Sequence, residues 1–239
     1  MYDPIAHWTW GGGWSGTMGD LDFAGGAPVH MSSGAAALAI SVFLGKRRGW
    51  GTEKLAYRPH SVSHVVIGTV FLWFGWFGFN GGSALASDML AAQAMIVTNV
   101  AAAVGGITWM CMDWFWTRHW SAVSLCSGII TGLIAITPAA GYVGAPSSIV
   151  FGFVGAIAAN VTTKWKHFLK YDDTLDVWAT HGVGGFTGAL LTGLFADGRV
   201  LNFASGEENP DPLGWINQNY VQFGYQVRFS ACSCRDMLC

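Results

Sequence analysis

The sequence predicts an all-α membrane protein with about six transmembrane helices. Three observations carry this. The 239 residues are 52% hydrophobic and only 11% charged, with a mean hydropathy of +0.39, whereas soluble domains carry roughly 25% charged residues. The charges sit in short segments between apolar stretches long enough to cross a ~30 Å hydrocarbon layer as helices. Nine of the 12 Lys and Arg fall in every second connection, the asymmetry expected of loops on the inner side of a membrane.

In order, residues 1–26 are rich in Trp and Gly, contain no Lys or Arg, and are placed outside. The first span is about Phe23–Gly45, closed by the basic loop KRRGWGTEKLAYR. The second is about Val62–Ala86, built around GTVFLWFGWFGFNGGSALA. After a turn at Asp88 the third runs from about Ala91 to Trp116, with Asp113, Arg118 and His119 marking its end. The fourth is about Val123–Tyr142, and Pro138 should kink or end it because proline lacks the N–H and clashes with the preceding turn. The fifth is about Ser147–Thr163, followed by KWKHFLKYDD. The sixth is about Asp176–Ala196, followed by the acidic segment ADGRVLNFASGEENPDP. Residues 1–222 form one domain and 223–239 a polar, cysteine-bearing tail unsuited to spanning a membrane.

Two of these spans echo each other. Asp22 precedes His30 by eight residues, and Asp173 precedes His181 by eight. Eight helical residues cover about 12 Å, which places each histidine near mid-membrane. The charge pattern makes the two helices run in opposite directions, so the echo reads as an inverted repeat, with a site at the midplane between related halves. An imidazole at that depth requires a partner or a cavity; the alternative for either histidine alone is a buried ring satisfied by a backbone carbonyl.

The remaining features exclude other classes. The N-terminal MYDPIAHWTWGGGWSG has neither the basic region nor the apolar core of a signal peptide. Cys111 and Cys126 lie in apolar segments as small packing residues, and Cys232, Cys234 and Cys239 have weak metal spacing with no histidine near. There is no phosphate-binding loop, nucleophile elbow or C-x-x-C motif, so no enzyme activity, metal or cofactor is expected. The basic loops serve topology, and nothing suggests nucleic-acid binding.

The segments AHWTWGGGW, DFAGG with VH shortly after, GWFGFNGGSA, TPAAGYVG and DDTLDVWATHGVGGFTGALLTGLF resemble the ammonium transporter/methylammonium permease family, relatives of the Rhesus glycoproteins. The resemblance covers about residues 1–222 and implies a partial inverted-repeat ammonium-transporter fold. Its six spans match family helices five to ten of eleven. On this reading the chain is truncated at both ends: the first four helices are missing, and the last should begin near GWINQNYVQFGYQV but gives way to the tail. The family also implies a homotrimer with one apolar pore per subunit, in a membrane expected to be the plasma membrane. The substrate implied is ammonium or ammonia, with methylammonium as an analogue.

The resemblance assigns residues too. His30 and His181 match the paired pore histidines, Phe79 one of two stacked gate phenylalanines, and Trp76 a pore-lining position. Trp10, Ser83 and Asp22 match the outer cation site, Trp10 offering a cation-π face and Ser83 a hydrogen-bond acceptor. Asp22 and Asp173 also read as helix caps. The plain alternatives are an interfacial anchor for Trp10 and a small packing residue for Ser83. Three other readings stand beside transport: a non-functional fragment or dominant-negative subunit, an ammonium sensor, and a membrane metalloenzyme using the two histidines.

Overall fold

The computed structural model describes residues 1–52, 59–205 and 213–238, and every regular element among them is helical. Two short helices, α1 (Tyr2–Trp10) and α2 (Trp14–Met18), lead into α3. This opens as a π turn over Gly26–Met31 and continues as an α-helix over Ser32–Leu44. Then come α4 (Val62–Gly82), α5 (Met89–Thr117), α6 (Ala122–Ile136), α7 (Ala145–Thr163) and α8 (Trp165–Leu169). The next helix, α9, repeats the design of α3, with a π turn over Trp178–Val183 followed by an α-helix over Gly184–Phe195. Two helices close the chain, α10 (Gly198–Ser205) and α11 (Tyr220–Leu238).

Local chemistry explains several boundaries. Ser61, Asp88 and Ser121 each accept a backbone N–H from three residues on, from His64, Ala91 and Ser124, and so cap α4, α5 and α6. Pro138 ends α6 as expected: the α-helix stops at Ile136 and tightens into a 3-10 turn over Thr137–Ala139. Five stretches are long and apolar enough to cross a membrane: Gly26–Leu44, Val62–Gly82, Met89–Thr117, Ala122–Ala139 and Ala145–Leu169. The sixth predicted span is the helical α9, less apolar than those five because it carries His181, three threonines and several glycines.

The helix ends gather at two ends of the bundle, which the charge pattern predicts to face outward and inward. On the outer side Phe23 N–H donates to Pro138 O at 3.0 Å, and Asp197 N–H to Tyr142 O at 2.8 Å. On the inner side Arg47 forms a two-pronged pair with Asp172, with Nε and Nη2 each at 2.8 Å. Also on that side, Lys166 bonds Asp176 at 2.7 Å. The basic loop of residues 46–58 lies outside the described residues from 53 onward.

Small residues bring α5, α6 and α7 into backbone contact. A methyl on Gly128 would stand 2.3 Å from Gly105 O, one on Gly132 2.3 Å from Ala101 O, and one on Gly152 2.4 Å from the same oxygen. This is how membrane helices gain contact where lipid is as apolar as leucine. Against this bundle lies α9, whose Leu191 joins Ala101, Ile136 and Phe151 in a buried cluster.

The C-terminal segment gives a different picture from its hydropathy. One helix, α11, runs through residue 222, where the sequence reading sets the edge of the tail. Gln222, Gln226, Phe229 and Ser233 fall on one face of it and are all buried. Gln222 and Gln226 donate to the carbonyls of Gly19 and Leu21, each at 2.9 Å. The side chain of Cys234, and Cys239 altogether, lie outside the described residues.

Candidate functional site

The π turns of α3 and α9 hold the two histidines. Each π turn is anchored by the aspartate eight residues before its histidine. Asp22 Oδ1 accepts the N–H groups of Gly25 (2.9 Å) and Gly26 (2.7 Å), and Oδ2 accepts that of Ala27 (2.8 Å). Asp173 Oδ2 accepts the N–H of Trp178 at 2.8 Å. A wider turn re-aims the side chains that follow it, and such turns concentrate at functional positions.

The two rings meet. His30 Nδ1 lies 3.3 Å from His181 Nδ1, the ring centroids being 5.3 Å apart. With Nδ1 facing Nδ1, one ring donates and the other accepts, so the two imidazoles take opposite tautomers. His30 is buried and stacks on Trp76, with centroids 5.4 Å apart and planes 14° from parallel. The Trp76 indole N–H donates to Thr137 Oγ1 at 3.0 Å, which fixes the ring under the histidine. Phe79 closes the group, its centroid 6.1 Å from His30 and 5.6 Å from Trp76.

These residues line a cavity of about 440 Å³ together with Val29, Ser33, Phe71, Leu72 and Gly75. It is almost wholly apolar apart from the imidazoles and the Ser33 hydroxyl. Sequence reasoning singled out Trp76 and Phe79 but missed Phe71, Leu72 and Gly75. The signal was present, since positions 71, 72, 75, 76 and 79 recur at helical spacing along one face of α4.

Of the residues assigned to an outer cation site, Trp10 and Asp22 touch each other, and Ser83 is held at the end of α4. Trp10 donates its indole N–H to the carbonyl oxygen of Asp22 at 2.8 Å and remains 46% exposed. Ser83 Oγ donates back to Phe79 O at 2.8 Å at the end of α4. Asp22 spends both carboxylate oxygens on the π turn, so it serves there as a cap. Burial pushes Asp22 above the usual carboxylate range, against the opposing pull of the N–H groups of Ala27, Gly26 and Gly25. Asp20 is raised well above its ordinary value, first by burial and then by the charge of Asp22.

A second cavity, about 390 Å³, lies at the inner ends of α5, α6 and α7 and is lined by Asp113, Ser124, Ser127, Asn160 and Asp176 among others. Asp113, read from sequence only as a helix-end marker, accepts from Trp109 Nε1 (3.1 Å) and Asn160 Nδ2 (2.9 Å). Among the described residues no group of three or more His, Cys, Asp or Glu side chains is arranged to hold a metal ion.

Residues 1–234 match the model of the Ammonium Transporter Family. The chain is 51% identical over 228 residues to ammonium transporter 1 of Schizosaccharomyces pombe, covering 95% of this chain and 45% of that protein. It is 48% identical over 204 residues to ammonium transporter Amt1 of Archaeoglobus fulgidus, covering 85% and 51%. The crystal structure of Candida albicans Mep2 superposes with a TM-score of 0.92 at 52% identity, over 99% of this chain and 52% of that one. The chain spans about half the length of the curated relatives it matches.

Proposed function

This chain belongs to the ammonium transporter family, a family of multi-pass membrane transporters rather than enzymes, and we propose that it supplies one wall of a pore that passes ammonia and excludes the ammonium ion. The observation that carries this is the 3.3 Å pair of His30 and His181 in an apolar cavity. A bare cation moved into such surroundings loses hydration on the order of tens of kcal/mol in the Born limit, whereas a neutral molecule does not. Recruitment of the cation would fall to Trp10 and Ser83 on the outer side, and Phe79 would separate that side from the histidines. The recruited cation would give up one proton, to water on that side or to the histidine pair, and the ammonia left would cross beside the imidazoles, whose nitrogens can both donate to it and accept from it. The same pair can pass a proton, because a proton taken up on one ring can leave from the other once the shared Nδ1–H has shifted.

Uptake measurements test this. In cells stripped of their own ammonium uptake, the chain should restore growth at low ammonium and take up labelled methylammonium. His181→Ala should lose discrimination against other monovalent cations while reaching the membrane in normal amount. No uptake at normal membrane abundance would overturn the transport reading for this chain.

A second reading is favoured by the open side of the cavity, where Phe71 is 71%, Leu72 46% and Phe79 36% exposed. It holds that the wall conducts only when a complementary wall, of the kind the first four family helices would supply, covers it; the homotrimer of such pores and the plasma membrane are what the family resemblance implies. On this reading, co-expression with a longer relative should change that relative's uptake, and the chain should co-purify with it.

A further inference from the structure

Each histidine is followed four residues later by a glycine, Gly34 after His30 and Gly185 after His181. Each of these glycines lies against the other helix at that helix's own histidine. A methyl on Gly34 would stand 2.3 Å from Gly182 N, 2.4 Å from Gly182 Cα and 3.2 Å from His181 C. A methyl on Gly185 would stand 2.9 Å from Gly26 O, 3.0 Å from His30 Cβ and 3.3 Å from Met31 Cγ. The contacts are reciprocal: α3 is seated on the backbone of the His181 turn, and α9 on the backbone and Cβ of the His30 turn.

The imidazoles leave little room for error. At 3.3 Å their nitrogens are already near the long end of hydrogen-bond range, and a few tenths of an ångström more breaks the bond. A helix displaced by one methyl group exceeds that margin. We propose that Gly34 and Gly185 are positioning residues that hold the two rings at hydrogen-bonding distance, each helix setting the place of the other's histidine. The recurring unit is then Asp-x7-His-x3-Gly: a cap, a ring and a seat for the opposite helix. This goes beyond the transport reading, since it concerns the ring separation whether or not the chain conducts.

The bundle contains its own control. Gly105 makes an equally close approach, its methyl falling 2.5 Å from Gly128 O, but at a contact between α5 and α6 that includes neither histidine. A general demand for tight helix contact predicts the same outcome at Gly105 as at Gly34 and Gly185. Positioning of the rings predicts different outcomes.

The test is a nitrogen–nitrogen correlation between the two Nδ1 atoms, recorded by solid-state NMR on the full chain with 15N-labelled histidine in lipid bilayers. The wild type should give the His30–His181 cross-peak. Gly34→Ala and Gly185→Ala should each lose it, while Gly105→Ala keeps it even if less protein accumulates. Should Gly34→Ala fail to accumulate, Gly185→Ala decides, because its closest contact is 2.9 Å rather than 2.3 Å. A retained cross-peak in a folded Gly34→Ala or Gly185→Ala protein overturns the assignment, and so does its loss in Gly105→Ala. The readout needs no transport, so failure of the transport reading and failure of this one are separate results.

Discussion

The turn at the start of α3 and the turn at the start of α9 carry the same pattern and are held in different ways. Both begin with an aspartate, continue as a π turn and present a histidine to the same cavity. The outer turn hangs on Asp22, which is buried and satisfies three backbone N–H groups at once. The inner turn takes one N–H from Asp173 and is flanked by ion pairs, Arg47–Asp172 and Lys166–Asp176. His30 is buried on the Trp76 ring, while His181 is half-buried, and among the described residues no tryptophan stacks on it in the same way. A shared sequence pattern therefore specifies the backbone turn and the ring, and leaves each membrane face to supply its own support.

Removing the caps tests that contrast with the largest expected effect. Asp22→Ala orphans three N–H donors, and at ~1 kcal/mol or more for each buried unsatisfied group the loss should be roughly 3 kcal/mol or greater. Asp173→Ala orphans one and should lose about 1 kcal/mol. Denaturation in detergent micelles, followed by tryptophan fluorescence, measures both. Equal losses would mean that the two caps are equivalent after all.

The histidines come next. His30→Ala leaves a buried space under Trp76 and should cost roughly 2 kcal/mol, while His181→Ala, at a half-buried position, should cost about 1 kcal/mol. The same unfolding measurement separates them. A His181 variant less stable than the His30 variant would reverse the comparison.

The ion pairs are smaller still. Arg47 is 41% exposed and its partner Asp172 only 1%, so solvent screens one side of the bond. Arg47→Gln should therefore cost about 1 kcal/mol, less at high salt. The loss in Asp22→Ala should not move with salt, because its partners are backbone N–H groups away from solvent. Salt-insensitive loss at Arg47 would make the inner support a matter of shape rather than charge.

Much of this was legible in the sequence, for reasons that also mark where legibility stopped. The spacing of Asp22 to His30 and of Asp173 to His181, with Lys and Arg concentrated in alternate loops, specified two opposed helices and a meeting of rings. Pro138 announced the end of α6. The π turns were not visible, because nothing in GAPVHM or WATHGV distinguishes them from ordinary helix before the caps are seen. Hydropathy also hid the docked face of α11, since Gln222, Gln226 and Ser233 are polar residues buried against backbone carbonyls and neighbouring helices rather than against lipid. Gly34 and Gly185 looked like any other glycines of a membrane helix until the opposite backbone was in place.

The smallest effect probes what holds the outer cap, and its sign is the test. Burial raises Asp22 in the native state above the unfolded value near 3.9, so the native protein binds that proton more tightly than the unfolded chain. Stability tied to the proton is complete below the unfolded value and is lost as pH rises through the native one. Asp22→Asn cannot titrate. Its Oδ1 can still accept the N–H groups of Gly25 and Gly26, and only the bond from Ala27 is given up. Asp20 is raised in the same direction, in part by the charge of Asp22, and loses that part in Asp22→Asn, so it adds to the wild type's loss rather than opposing it. Unfolding free energies measured from about pH 4 to 7 should then show the wild type losing stability relative to Asp22→Asn as pH rises. The opposite slope would mean that the three N–H groups outweigh burial and hold Asp22 as a carboxylate, which would make the outer cap electrostatic in character and the inner one its closer counterpart.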